Sequence, residues 1–100
     1  MLTVSGCPHR VLAMTRVQEA LDRSGVDAIV AERIIDDPTE AATLGMAGSP
    51  TILVDGRDLF SAAGLEPSIS CRLYRAGAGV HGAPSVRALI GALTSPATAP

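Results

Sequence analysis

The order of apolar patterns near the N-terminus is the strongest constraint on the fold. A short apolar run, Leu2 to Val4, is interrupted by a Ser-Gly pair, which is typical of a strand that ends in a turn. Ala28 to Ile35 is rich in Ile and Val and predicts a second strand. A helix is predicted between them, opening at Pro8 and ending at Gly25, with an apolar face formed by Val11, Met14, Val17 and Leu21. A strand, helix and strand in this order predict a parallel pair with a right-handed crossover.

The rest of the chain predicts further elements around the same sheet. Asp55 and Gly56 form a pair that is strongly favoured in two-residue hairpin turns, so a strand from Thr51 to Val54 is expected to turn back there. The other predicted elements are a short helix between Asp37 and Gly45, a strand from Ile69 to Tyr74, a glycine-rich connection from Ala76 to Ala83 and a helix from Pro84 to Leu93.

Composition narrows the classes of function. The net charge is −2 and no basic run occurs, which argues against a nucleic-acid partner. No apolar stretch approaches the roughly 20 residues of a membrane helix, and no signal peptide is predicted, so we expect a cytoplasmic protein without a membrane partner. We expect one α/β domain, residues 1–93, followed by a mobile tail, residues 94–100. No cofactor is indicated.

Two motifs in this order of elements resemble the thioredoxin superfamily. They are Cys7-Pro8 at the opening of the first helix and Gly48-Ser49-Pro50-Thr51 before a strand. The resemblance covers Leu2 to Leu93 and implies a mixed four-stranded sheet flanked by helices. It also implies that Pro50 is a cis proline that lies against Cys7, beside a backbone edge that could pair with an extended peptide.

A narrower resemblance is to small bacterial thioredoxin-like proteins that are often labelled alkylmercury lyase. It rests on the same two motifs and on Ser70-Cys71-Arg72-Leu73-Tyr74. Carbon–mercury lyases use two cysteines with an aspartate, and Cys7 and Cys71 could stand for those cysteines. The chain departs from the thioredoxin pattern, since Arg10 stands where the Cys-x-x-Cys motif has its second cysteine. Dithiol exchange through that motif is therefore excluded.

The two cysteines are the main candidates for chemistry. Thiols near a helix N-terminus ionise more readily than free cysteine, and the thiolate is both the nucleophile and the soft-metal ligand, so we expect Cys7 to be reactive. His9 could tune or protonate Cys7, or be solvated. Cys71 could be a resolving thiol, a second metal ligand or a core residue. If the hairpin returns the chain, Cys71 lies near Cys7; if Cys71 begins the return strand at the far end, the two are out of reach.

Three functions remain open from the sequence. The favoured one is a thiol-dependent redox protein that acts on a protein or small-molecule thiol or disulfide, with Cys7 attacking and Cys71 or an external thiol resolving the product. The second is a soft-metal or organomercury protein with Cys7 and Cys71 as ligands, because thiolates select soft cations. The third is a binding module that has kept the fold without chemistry, since one fold hosts many functions.

Overall fold

The computed structural model describes residues 1–61, 64–76 and 79–94. Three helices and eight short strands lie in these ranges. The strands are β1 (Leu2–Thr3), β2 (Arg33–Ile34), β3 (Ala47–Ser49), β4 (Leu53–Val54), β5 (Arg57–Asp58), β6 (Ser68–Cys71), β7 (Tyr74–Ala76) and β8 (Gly79–His81). The helices are α1 (Arg10–Ser24), α2 (Pro38–Leu44) and α3 (Val86–Thr94). None of these helices is long and apolar enough to cross a membrane.

Local sequence signals define the first two helices, as predicted. Gly25 ends α1 in the left-handed conformation, and its N–H donates to the Leu21 carbonyl at 3.1 Å. The Asp37 carboxylate caps α2 by accepting a hydrogen bond of 2.9 Å from the Thr39 N–H. Gly45 ends α2 with φ of 78°. These groups satisfy backbone atoms that a helix end leaves unpaired.

The described strands form four two-stranded sheets, and the expected four-stranded sheet is not found. β1–β2 and β3–β6 are parallel, whereas β4–β5 and β7–β8 are antiparallel. Pro50 has no N–H and follows β3 directly, so the ladder is interrupted before β4. Leu2 and Thr51 nevertheless exchange two backbone hydrogen bonds, of 2.8 and 2.9 Å, and thereby connect β1 to the segment that leads into β4.

Alternating side chains divide the core into two layers. Met1 and Ile52 belong to a cluster beneath α1 and α3, whereas their neighbours Leu2 and Leu53 belong to a second cluster beside α2. This alternation is the period of two that an extended chain imposes. The first cluster also contains Ala13, Val17, Ala20, Leu21, Ala83 and Leu89. The second also contains Ile35, Ala41 and Met46. Helices therefore cover both faces of the central strands.

Several sequence-based element boundaries are wrong. The strand expected from Ala28 to Ile35 is confined to β2, and α1 begins at Arg10 because Pro8 lies in the turn that precedes the helix. Val11 is 69% exposed, since it lies about 200° around the helix from Ala13, which is buried. The strand expected from Ile69 to Tyr74 is interrupted after Cys71.

The C-terminal third also differs from the prediction in its connections. The glycine-rich connection forms the hairpin β7–β8, because Tyr74 to Ala76 pair with Gly79 to His81. The last helix starts two residues later than expected and includes Thr94, which was assigned to the tail. Residues 95–100 lie outside the described ranges. The two-residue turn at Asp55 and Gly56 is confirmed, with φ of 52° and 80°.

Gly48 is required where β3 and β6 approach each other. Its φ is 108°, and a Cβ at this position would lie 2.8 Å from the Arg72 Cβ and 3.1 Å from the Ser70 carbonyl oxygen. We expect Gly48→Ala to lower the free energy of unfolding by about 2–4 kcal/mol, because it combines backbone strain with a steric clash. Urea denaturation would measure the change.

Gly91→Ala is the matched control for this substitution. Gly91 lies in α3, and a Cβ there meets no atom within 4 Å. We expect it to raise the free energy of unfolding by about 0.5–1 kcal/mol, because alanine restricts the unfolded chain. Equal effects of the two substitutions would contradict the close approach of β3 and β6.

Candidate functional site

Cys7 lies in a tight turn between β1 and α1. Its N–H donates to the Val4 carbonyl at 3.2 Å, and its own carbonyl accepts from the Arg10 N–H at 3.3 Å. Gly6 has φ of 69°, which allows the chain to turn directly before the cysteine. The thiol thus lies just before the first turn of α1, as its sequence position indicates. The residue is only 8% exposed.

The turn that carries Cys7 is attached to the loop after β2. The Asp36 carboxylate accepts hydrogen bonds from the Ser5 N–H at 2.8 Å and from the Ser5 hydroxyl at 2.5 Å. These bonds hold the pKa of Asp36 below its usual range, since they stabilise the ionised form. Asp36 and Ser5 are 31 positions apart, so no local pattern in the sequence could show this contact.

Ser49 connects the segments that carry the two cysteines. Its hydroxyl accepts a hydrogen bond of 3.1 Å from the Val4 N–H, three residues before Cys7. Its carbonyl accepts one of 3.0 Å from the Arg72 N–H, and Ser49 is the register partner of Cys71 in the β3–β6 pair. The sequence left two geometries open. In the structure, Cys71 lies on the side of the strands toward which β1 leads to Cys7. Both cysteines are free thiols.

The peptide bond between Ser49 and Pro50 is cis, as the thioredoxin resemblance implies. Pro50 is fully buried. Thr51 follows it, and its hydroxyl donates to the Gly48 carbonyl at 2.6 Å while accepting from the Ala47 N–H at 3.2 Å. Side-chain and backbone hydrogen bonds thus close this segment on itself, next to both cysteine-bearing segments.

Arg72 points into the interior, whereas its neighbour Cys71 is exposed. The guanidinium group donates to the Asp58 carboxylate at 2.6 Å and to the Phe60 carbonyl at 2.9 Å. It also lies 3.4 Å from the Thr51 hydroxyl. Neighbouring side chains of an extended chain point to opposite faces, and these contacts of Arg72 are made with residues other than Cys71. Asp58 is the ionic partner of Arg72, and both side chains are largely buried.

Tyr74 completes this network and was not predicted from the sequence. Its hydroxyl donates to the Pro50 carbonyl. Its ring lies 4.8 Å from the guanidinium carbon of Arg72 and makes an edge contact with Phe60, with ring centres 5.4 Å apart. Burial raises the pKa of Tyr74, so the hydroxyl remains a donor. Tyr74 had appeared only as the last residue of the Ser70 to Tyr74 motif, and the presence of just two aromatic residues, Phe60 and Tyr74, was a further sequence signal for this contact.

His9 is packed against the chain near α3. A Cβ on Gly82 would lie 2.3 Å from the His9 Cδ2 and Nε2 atoms, so the absence of a side chain at Gly82 makes room for the imidazole. His9 occupies the N-cap position of α1 but makes no side-chain capping bond. His9 lies two residues after Cys7 in the sequence and is partly buried. His81 is exposed in β8.

The described residues contain no group of three or more His, Cys, Asp or Glu side chains that could hold a metal ion. Cys7 and Cys71 are the two thiols of the chain, and they remain the predicted ligands for a soft cation. None of the protein-family models, curated proteins and solved structures compared with this chain matches it. The assignment of a function therefore rests on the chemistry of the site.

The Arg72–Asp58 pair predicts a large loss of stability when one partner is removed. We expect Asp58→Asn to lower the free energy of unfolding by about 3–5 kcal/mol, because it leaves a buried cation without its counter-ion. Glu19→Gln is the control, since it removes the exposed Arg23–Glu19 pair and should cost less than about 1 kcal/mol. Urea denaturation would compare them, and similar losses would argue against a buried ion pair.

The Asp36–Ser5 contact predicts a pH-dependent contribution to stability. Because the pKa of Asp36 is lower in the folded chain, its ionised form favours folding above about pH 4, and this contribution is lost as the pH falls through the lowered pKa. We expect Asp36→Asn to lower the unfolding free energy more at about pH 7 than at about pH 3. Asp27→Asn is the control for the loss of one carboxylate at an exposed loop residue, and an equal difference between the two pH values in both variants would contradict the role of the Asp36–Ser5 contact.

Proposed function

We propose that the protein is a thioredoxin-like, thiol-dependent redox protein in which Cys7 and Cys71 form a reversible disulfide. The observation that carries the proposal is the pair of hydrogen bonds at Ser49, which join the segment before Cys7 to the segment that ends at Cys71. The remaining support comes from the order of the strands, the difference in exposure of the thiols and the surroundings of Cys71.

The order of the strands supports a thioredoxin-like arrangement. Backbone hydrogen bonds lead from β2 to β1, from β1 to Thr51, and from β4 to β5. The Leu59 N–H also donates to the Ile52 carbonyl at 3.0 Å, which extends the pairing between Thr51 and the returning chain. One core cluster lies beneath α1 and α3 and the other beside α2. This order of neighbours supports the mixed sheet flanked by helices that the thioredoxin resemblance implies.

We propose that the two thiols meet when the turn that holds Cys7 moves toward Ser49. Paired strands lie about 4.8 Å apart, so Cys71 is one strand spacing from Ser49. The turn that holds Cys7 is closed by hydrogen bonds of 3.2 and 3.3 Å, which are long and cost little to break. A disulfide requires Cα atoms about 4.4–6.8 Å apart. Movement of the Cys7 turn against Ser49 would supply that approach, while β6 remains attached to β3.

The difference in exposure suits a two-step exchange. Cys71 is exposed and open to an external thiol or disulfide, whereas Cys7 is shielded from solvent. In oxidation, an external disulfide accepts two electrons and the two protein thiols lose their hydrogen atoms as the internal bond forms. The reverse exchange with two external thiols restores the protein.

The test is intact-mass analysis with thiol alkylation over a series of glutathione redox ratios. Over part of the series, we expect the wild type to lose two hydrogen atoms and to become resistant to alkylation. Its mass should show that no glutathione is attached to the protein. Cys7→Ser and Cys71→Ser should each abolish that species, because the internal disulfide needs both sulfurs. Reduction should restore full alkylation.

Other outcomes would favour the alternative functions. If both thiols stay alkylatable at every ratio, the redox pair is wrong. Binding of Cu(I) that needs both cysteines, without disulfide formation, would then favour the soft-metal function. Two unreactive thiols with no metal binding would favour the binding module.

A further inference from the structure

A groove beside Cys71 is a candidate site for the substrate. It has a volume of about 600 Å³, within the roughly 300–1,000 Å³ that is typical of small-molecule sites. Cys71 and the cationic side chain of Arg75 line it together with an apolar surface. That surface is formed by Phe60, Leu65, Leu73, Tyr74, Pro84 and Ala88.

The charges that the described residues place around the groove are not balanced. Arg72 also borders it, but its guanidinium group is buried and is neutralised by Asp58 at 2.6 Å. Arg75 is exposed, and no carboxylate among the described residues forms an ion pair with it. Within the part of the chain that the structure describes, the groove therefore offers one uncompensated cation next to a thiol and an apolar wall, which is complementary to an anionic ligand with an apolar portion.

Access to the two sulfurs sets the order of reaction. An attacking thiol must reach a disulfide sulfur directly. Cys71 is exposed within the groove, whereas Cys7 is 8% exposed and does not line it. The position in the helix-opening motif favoured Cys7 as the first nucleophile, but burial favours the opposite order.

We propose that Cys71 is the thiol that first attacks the substrate, and that the substrate is a small disulfide bearing a carboxylate that Arg75 attracts. This inference rests on the proposed thiol chemistry and names its substrate class. The Cys71 thiolate attacks one sulfur of the disulfide, the substrate S–S bond breaks, and one thiolate leaves and takes a proton. Cys7 then attacks the Cys71 sulfur, the internal disulfide forms, and the second substrate thiol leaves.

The test compares three small disulfides that differ in charge. They are dithiodiglycolate, which is anionic, bis-hydroxyethyl disulfide, which is neutral, and cystamine, which is cationic. Rates of mixed-disulfide formation are measured by intact mass in Cys7→Ser, which leaves only Cys71, and in Cys71→Ser, which leaves only Cys7. Each rate is divided by the rate of the same disulfide with a short cysteine peptide, which removes the intrinsic reactivity of the probe.

We expect Cys71 to react faster than Cys7 with every probe. At Cys71 the normalised rate should be about 2- to 5-fold higher for dithiodiglycolate than for the neutral disulfide, and lower for cystamine, as one exposed charge contact allows. In the Cys7→Ser background, Arg75→Glu should reverse this order. High salt should weaken both preferences, because it screens exposed charges.

Arg57→Glu is the matched control, since it makes the same change in net charge at an exposed residue of β5 outside the groove. We expect it to leave the order of the three probes unchanged. Faster reaction of Cys7, or the same charge preference in the Arg75→Glu and Arg57→Glu variants, would overturn the inference.

The outcomes also separate this inference from the proposed redox pair. A charge-selective reaction of Cys71 in a wild type that never forms the internal disulfide would support the groove and refute the pair. An internal disulfide that forms with no charge preference at Cys71 would support the pair and refute the carboxylate site.

Discussion

The buried contact between Arg72 and Asp58 is the interaction on which the arrangement around the cysteines depends. A charged pair in the interior is retained only when its hydrogen bonds are satisfied, and here the guanidinium group also reaches the Phe60 carbonyl. The backbone N–H of Arg72 donates a hydrogen bond to the Ser49 carbonyl. One residue thus attaches the end of β6 to β3 and to the chain after β5, and the side chain of Cys71 is left pointing outward.

This anchoring explains how so few regular strand contacts hold a defined site. The strands contain two to four residues each, and hydrogen bonds from side chains join the segments in addition to the ladders. Ser49 and Tyr74 contribute a hydroxyl each at the two sides of Pro50. Because Tyr74 also packs on Arg72 and Phe60, loss of one member would weaken the remaining contacts. The thiols are therefore positioned by a polar network rather than by an extended sheet.

The two thiols lie in different environments. Cys7 is shielded in a turn tied to Asp36, whereas Cys71 faces a groove bordered by Arg75, which forms no ion pair with a carboxylate of the described residues. A second cysteine within the helix-opening motif would share the surroundings of the first, but this chain places its second thiol on another element. The proposed chemistry divides accordingly, with substrate recognition at Cys71 and closure of the internal disulfide by Cys7.

The sequence by itself determined the helix ends and the tight turn. The Asp37 cap, the glycine ends of α1 and α2 and the turn at Asp55 and Gly56 depend only on neighbouring residues, and they were predicted. The tertiary structure alone decided which strands pair, that Asp58 meets Arg72 and that the Cys71 segment meets Ser49. These contacts join residues 14 and 22 positions apart (72 minus 58, and 71 minus 49). No periodic pattern encodes them, because they depend on how separate elements pack.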